Sequence, residues 1–293
     1  MEIFRGSGVA IVTPFGADGK VDFEAYGRLL EYQLANGTDA VVSCGTTGEA
    51  STMTDDEQIA AVRFAVETVN KRAPVIAGAG SNDTEHGVSL AKACAKAGAD
   101  ALLTVTPYYN KTTQRGLVAH FTAQARAVDI PLILYSVASR TGMQILPKTA
   151  CELSKVPNIM GIKEASKDLS QITEIAELCG DDLTIYSGDD NIVVPILSVG
   201  GKGVISVVAN VAPRDVHEMV TKYLAGDGAG SLKLQLALQP LCRALFCEVN
   251  PIPVKTALRM MGFNAGGFRA PLLEMEEGNR VILERAMREY GLI

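Results

Sequence analysis

The chain has 293 residues, 47% hydrophobic and 20% charged, a balance that supplies ample core for one large domain or two. A net charge of −6 with no basic stripe, and no tryptophan at all, argue against nucleic acid or an anionic membrane as partner. Six scattered cysteines and three scattered histidines (His86, His120, His217) give no Cys-x-x-Cys or His-Glu-x-x-His spacing, so neither disulfides nor a zinc site is expected. The N-terminal run Met1-Glu2-Ile3-Phe4-Arg5 has no signal-peptide core, and no stretch reaches the roughly 18 apolar residues of a membrane span. A reducing, cytoplasmic setting is the expectation.

Short Val/Ile/Leu runs recur about every thirty residues, the length of a strand-plus-helix unit. They predict strands at Gly8–Thr13, Ala40–Cys44, Pro74–Ala77, Ala101–Val105, Pro131–Tyr135, Ile159–Lys163, Thr184–Ser187 and Gly203–Ser206. Amphipathic helices fall between them. Phe23, Tyr26, Leu30 and Leu34 repeat at helical spacing up to the stop Asn36-Gly37. Ile59, Val62, Val66 and Val69 follow Thr54-x-x-Glu57, which has the form of a capping box. The segments Asn36-Gly37-Thr38-Asp39-Ala40 and Ala97-Gly98-Ala99-Asp100-Ala101 repeat one helix-to-strand pattern, with glycine ending the helix. Eight such units predict an α/β fold, a closed (β/α)8 TIM barrel; an open doubly wound sheet is the alternative. From about Pro213 only helical patterns remain. The expected organisation is a catalytic barrel over 1–225 and a C-terminal helical extension over 226–293.

In such a barrel, chemistry gathers where strands end. The sixth predicted strand ends in Lys163, after the apolar run Ile159-Met160-Gly161-Ile162. A lysine delivered to the mouth of a core is pushed toward its neutral, nucleophilic form and becomes a Schiff-base candidate. The alternative is a strand-end lysine that snorkels to solvent. Gly45-Thr46-Thr47-Gly48 offers successive backbone N–H groups and two hydroxyls, a nest for a small carboxylate, or else a turn that satisfies only itself. Tyr135 places a phenol at the end of the fifth strand, where it could relay protons or sit satisfied in the core. Tyr108-Tyr109 reads as loop aromatics of a subunit interface, and Arg140 is a fork-shaped donor suited to a carboxylate. Asp189-Asp190 has no histidine support for a metal and reads as a solvated or structural loop.

Taken together, Gly45-Thr46-Thr47-Gly48-Glu49, Thr104-Val105-Thr106-Pro107-Tyr108-Tyr109-Asn110, Tyr135 with Ser139-Arg140-Thr141-Gly142, Gly161-Ile162-Lys163-Glu164-Ala165, Ser187-Gly188-Asp189-Asp190 and Asn250-Pro251-Ile252-Pro253-Val254-Lys255 resemble the dihydrodipicolinate synthase family. That family belongs to the pyruvate-dependent class I aldolases, which include N-acetylneuraminate lyase. The likeness runs in order from Gly6 to the C-terminus. It implies a lyase of diaminopimelate and lysine biosynthesis that condenses pyruvate with L-aspartate-4-semialdehyde and needs no cofactor and no metal. By the same likeness Lys163 forms the imine, while Tyr135, Thr46 and Tyr109 relay protons. Thr47 joins the carboxylate nest, Arg140 meets the carboxylate of the semialdehyde, and Gly188 and Ile205 line the pocket. Tyr109 would reach into a neighbouring subunit's site, so the resemblance implies a homo-oligomer, a tetramer built as a dimer of dimers.

Two places depart from the family pattern. Ser136 and Ala138 stand where many members have Asn and Pro. Of the effector-site positions, Asn82 and Tyr108 match lysine-inhibited members, whereas Ala50, Asp55, Gln58 and His86 differ, so lysine inhibition is expected to be weak or absent. Two other readings stay open: a superfamily aldolase for N-acetylneuraminate or 2-keto-3-deoxy sugar acids, and a ligand sensor on a barrel scaffold without turnover.

Overall fold

The computed structural model describes residues 2–293. Eight parallel strands, β1 (Gly6–Ala10), β2 (Ala40–Ser43), β3 (Val75–Gly78), β4 (Ala101–Val105), β5 (Leu132–Ser136), β6 (Ile159–Glu164), β7 (Thr184–Ser187) and β8 (Gly203–Ser206), close on one another in sequence order. The expected barrel is therefore present, and β8 pairs directly with β1. Around it lie α1 (Phe23–Ala35), α2 (Asp55–Val69), α3 (Thr84–Lys96), α4 (Gln114–Arg126), α5 (Ala138–Thr141), α6 (Pro147–Leu153), α7 (Leu169–Cys179), α8 (Val193–Ser198) and α9 (Pro213–Leu224). The helices α10 (Gly228–Ala244), α11 (Ile252–Met260) and α12 (Glu277–Tyr290) follow. Among the described residues no helix is long and apolar enough to cross a membrane.

The strand boundaries differ from the sequence reading where a backbone group finds another partner. Pro74 and Pro131 stand just outside their strands because they have no N–H, although their carbonyls accept from Val41 and Leu102 at 3.0 and 2.8 Å. Cys44 turns left-handed at φ 56° and ends β2 one residue early. The largest shift is β1, expected at Gly8–Thr13. Gly6 already donates to Lys202 O at 3.1 Å, and the Val12 N–H leaves the ladder for the Asn210 side-chain oxygen at 3.1 Å. Helix starts follow their caps. Thr54 and Glu57 form the reciprocal capping box, and Asp22, Asp83 and Thr113 cap α1, α3 and α4.

Alternation along the strands sends one set of side chains outward against the helices and the other into the barrel. The interior set includes Ala10, Val42, Ile76, Leu103, Ile133, Tyr186 and Ile205. Phe4 plugs the N-terminal end: its ring stacks on Tyr186 with centroids 4.3 Å apart, and the Tyr186 hydroxyl donates to Phe4 O at 2.9 Å. In β6 the alternation puts Ile162 in the outer core and turns Lys163 inward, in register with Tyr135 on β5 and Tyr186 on β7.

The segment after α9 is bolted to the barrel mouth by charge. Lys255 on α11 is fully buried, pairs with Glu49 at 2.7 Å, and donates to Thr13 O at 3.0 Å and Gly267 O at 2.5 Å. Arg269 reaches Glu57 on α2 and Gly19 O. Removing one member of a buried, hydrogen-bonded ion pair strands the other charge without solvent. Lys255→Met is accordingly expected to cost about 3–5 kcal/mol in denaturant unfolding. A loss below about 1 kcal/mol, the scale of an exposed pair, would contradict this account.

Candidate active site

Lys163 is the centre of the strand-end cluster. It is only 6% exposed, and its amine lies 4.3 Å from the centroid of the Tyr135 ring. Burial pulls its pKa down to about 8; the Asp190 carboxylate acts in the opposite sense and the Arg140 guanidinium reinforces the fall. At neutral pH this raises the neutral fraction from below about a thousandth to about a tenth. Tyr135 is buried with it, and desolvation pushes its phenol up to about 12, opposed by Arg140 and the Thr46 hydroxyl. A phenol in this state is a proton donor rather than a standing anion, so it can hand its proton on only when a base forms beside it.

A cavity of about 200 Å3 opens above Lys163. Its wall carries Thr46, Thr47, Tyr135, Arg140, Lys163 and Gly188, drawn from the ends of β2, β5, β6 and β7. The Gly45–Gly48 turn is partly closed on itself, since Gly48 and Glu49 donate to Gly45 O and Thr46 O at 3.1 Å each. Among the described residues the Thr46 and Thr47 N–H groups have no such acceptor, which leaves them free for a carboxylate. Thr46 is exposed to the cavity, whereas Thr47 is buried and accepts from the Asn250 amide at 2.9 Å. Arg140, in α5, donates to Asn250 O at 3.1 Å and keeps the rest of its fork exposed.

Gly188 has a steric reason to be glycine. A Cβ there would lie 2.8 Å from Ala165 Cβ and 3.1 Å from Lys163 Cγ, so any side chain would displace the lysine stem. Ile205 is buried inside the barrel beneath this site. Tyr109 is the one predicted member that the single chain does not bring in. It is 93% exposed with a left-handed φ of 67°, projecting from the loop after β4.

Asp189 and Asp190 are buried rather than solvated. Asp190 accepts from Ser206 Oγ and from the Val207 and Val208 N–H groups at 2.9 and 3.2 Å, holding the turn after β8. Burial raises its pKa despite those donors. Among the described residues, no three His, Cys, Asp or Glu side chains are placed to hold a metal ion.

A family model described as the dihydrodipicolinate synthetase family matches residues 3–290. The chain belongs to this family. It is 57% identical over 294 residues to the 4-hydroxy-tetrahydrodipicolinate synthase of Thermoanaerobacter pseudethanolicus, covering 100% of this chain and 99% of that one. Among solved structures, the dihydrodipicolinate synthase of Thermotoga maritima superposes with a TM-score of 0.97 at 43% identity, covering 100% of both chains. The enzyme of Acinetobacter baumannii, solved in complex with pyruvate, gives 0.97 at 42% identity over 100% of both chains.

Three residues in or behind this cavity were given no role by the sequence reading. Asn250 and Phe246, from the link between α10 and α11, line the cavity although they lie more than a hundred positions after Arg140 in sequence. Glu164 lies behind Lys163 with its side chain turned outward, fully buried among Ser166, Gln171 and Ser136, and burial pushes its carboxyl up to about 7. Only a lysine set among apolar residues, Lys255 beside Val254, Ala257 and Leu258, hinted in the sequence that the extension meets a buried acid.

The depressed Lys163 pKa fixes the direction of a pH profile. Protonated lysine is inert toward carbonyls, so the rate of imine formation should rise about tenfold per pH unit below pH 8 and level off above it. Stopped-flow measurement with a keto acid checks this. A profile still rising steeply at pH 10 would mean that the amine titrates like a solvated lysine.

Proposed function

We propose that this chain condenses pyruvate with L-aspartate-4-semialdehyde to give 4-hydroxy-tetrahydrodipicolinate, a lyase step of diaminopimelate and lysine biosynthesis, through an imine on Lys163. The observation that carries the mechanism is a desolvated lysine and a protonated phenol 4.3 Å from ring centroid to amine, beside a carboxylate nest in one cavity. Neutral Lys163 adds to the pyruvate ketone and water leaves, with Tyr135 and Thr46 moving the protons. The protonated imine then serves as the electron sink while the methyl group gives up a proton to the Tyr135–Thr46 relay, leaving an enamine. Its carbon attacks the aldehyde, whose oxygen becomes the hydroxyl. The semialdehyde amine then bonds to the imine carbon, and the bond to Lys163 breaks. The nest at Thr46 and Thr47 holds the pyruvate carboxylate, Arg140 takes that of the semialdehyde, and Gly188 and Ile205 shape the floor.

No step in this sequence calls for a cofactor. Tyr109 completes the proton relay in the site of a second copy, which makes the working form a homo-oligomer, a tetramer as a dimer of dimers, in the cytoplasm. Residues 1–225 act as the catalytic barrel and 226–293 as a helical extension bracing its mouth. Sugar-acid aldolases share the imine, but the Arg140 fork at the rim suits a short amino-acid aldehyde better than a polyol.

Borohydride reduction in the presence of pyruvate should fix one pyruvate-derived mass on Lys163, and Lys163→Ala should abolish both adduct and turnover. An adduct on another residue would sink the mechanism, and turnover of N-acetylneuraminate in place of aspartate-semialdehyde would sink the substrate. A second cavity of about 380 Å3 on the far side of Thr46 and Tyr135 carries Ala50, Asp55, Gln58, His86 and Tyr108. There Asp55 accepts from or pairs with His86 at 2.9 Å, occupying polar groups that an amino-acid effector would need. Added lysine is therefore expected to leave the rate nearly unchanged; half-inhibition at millimolar lysine or below would overturn this.

A further inference from the structure

The cavity above Lys163 holds an acid that the mechanism above does not use. Asp189, immediately after Gly188, lines the same wall and is 9% exposed. Its backbone is locked by Ser187, whose hydroxyl donates to Asp189 O at 2.8 Å and accepts from Asp189 N at 3.2 Å. Oδ1 is fully engaged by the Asn191 backbone N–H at 2.9 Å and side-chain amide at 2.7 Å. Oδ2 has only Lys167, 3.7 Å away and beyond hydrogen-bond distance, on a side chain that is 70% exposed. The neighbouring Asp190 offers no such oxygen, because Ser206, Val207 and Val208 take up its carboxylate. One carboxylate oxygen is thus held at the cavity wall with no hydrogen-bond donor among the described residues and only the loose pairing with Lys167.

We propose that Asp189 binds the α-ammonium group of the aldehyde substrate and so selects an amino-acid aldehyde. The inference rests on the reading that the substrate is an aspartate-type semialdehyde. Such a molecule carries a carboxylate and an ammonium on adjacent positions, and both must be desolvated to enter. Arg140 follows β5 and Asp189 follows β7, so the strand bearing Lys163 runs between a cation and an anion. A zwitterion laid across them satisfies both, with its aldehyde over the lysine. Pyruvate, an anion without an amine, gains nothing from Asp189 and is directed to the nest at Thr46 and Thr47. Buried polar groups discriminate strongly against a ligand that lacks their partner, because the group is then left unpaired.

The test compares aspartate-semialdehyde with 4-oxobutanoate, the same aldehyde without the amino group, at saturating pyruvate. The readout is the ratio of kcat/KM for aldehyde consumption. The wild type should prefer the amino-bearing aldehyde by on the order of 10- to 100-fold, and Asp189→Asn should bring that ratio close to one. An unchanged ratio in Asp189→Asn would overturn the proposal. Lys167 borders the same cavity with a side chain that is 70% exposed, and Lys167→Met removes the cation nearest Oδ2, so the ratio should hold or rise; a fall would overturn the proposal as well. Borohydride trapping of pyruvate on the wild type reports separately on Lys163. If trapping fails the imine reading fails, whereas trapping with an unchanged ratio sinks only the role of Asp189.

Discussion

Desolvation of one ammonium group is the constraint from which the rest of the site follows. Lys163 arrives inside the barrel because strand alternation turns Ile162 outward and its neighbour inward. A shift from 10.5 to about 8 corresponds to about 3 kcal/mol that folding spends on this side chain. The sign is set by burial. The folded protein disfavours the protonated form, so the cost is in full force below about pH 8 and fades as pH rises toward the free-lysine value. Strongly shifted groups of this kind gather at functional sites, and the phenol, the free amides and the guanidinium stand around this one.

Rigidity around the lysine comes from two sides. Gly188 lets the turn after β7 lie against the lysine stem, where a methyl group would already collide. On the other side the segment after α10 braces the Gly45–Gly48 turn. Asn250 joins Thr47 to Arg140, and Lys255 joins Glu49 to two backbone carbonyls. Glu49 sits at a left-handed φ of 57°, directly after the nest, so its pairing with Lys255 helps to hold the turn in shape. The segment after α10 therefore holds the wall of the cavity in shape through these contacts.

Family membership narrows what this arrangement is for, and the departures from the family pattern show where the chain is its own. Ser136 accepts from Ile145 N at 3.2 Å and faces Glu164, so the small hydroxyl ties the end of β5 to the loop before α6. The Asp55–His86 pair changes the second cavity in a similar way, by satisfying polar groups internally.

The amino-acid sequence by itself determined the eight strand-helix units, the capping box at Thr54 and the set of reactive strand ends. Each of these rests on local periodicity or on neighbours within a few residues, which short-range sterics and burial enforce. Strand limits moved by a residue at Pro74, Pro131 and Cys44 for local backbone reasons, and furthest at β1, where Asn210 captured the Val12 N–H from nearly two hundred positions away. The tertiary structure alone decided the pairs that charge and shape form across the barrel. Lys255 with Glu49, Asn250 with Thr47, and Asn250 with Arg140 are separated by long stretches of chain, and no pattern in one segment encodes its complement in the other. It also decided that Tyr109 stays exposed and outside the cavity of its own Lys163. A side chain's reach into a site is a property of the closed fold, because only closure fixes which strand ends face one another.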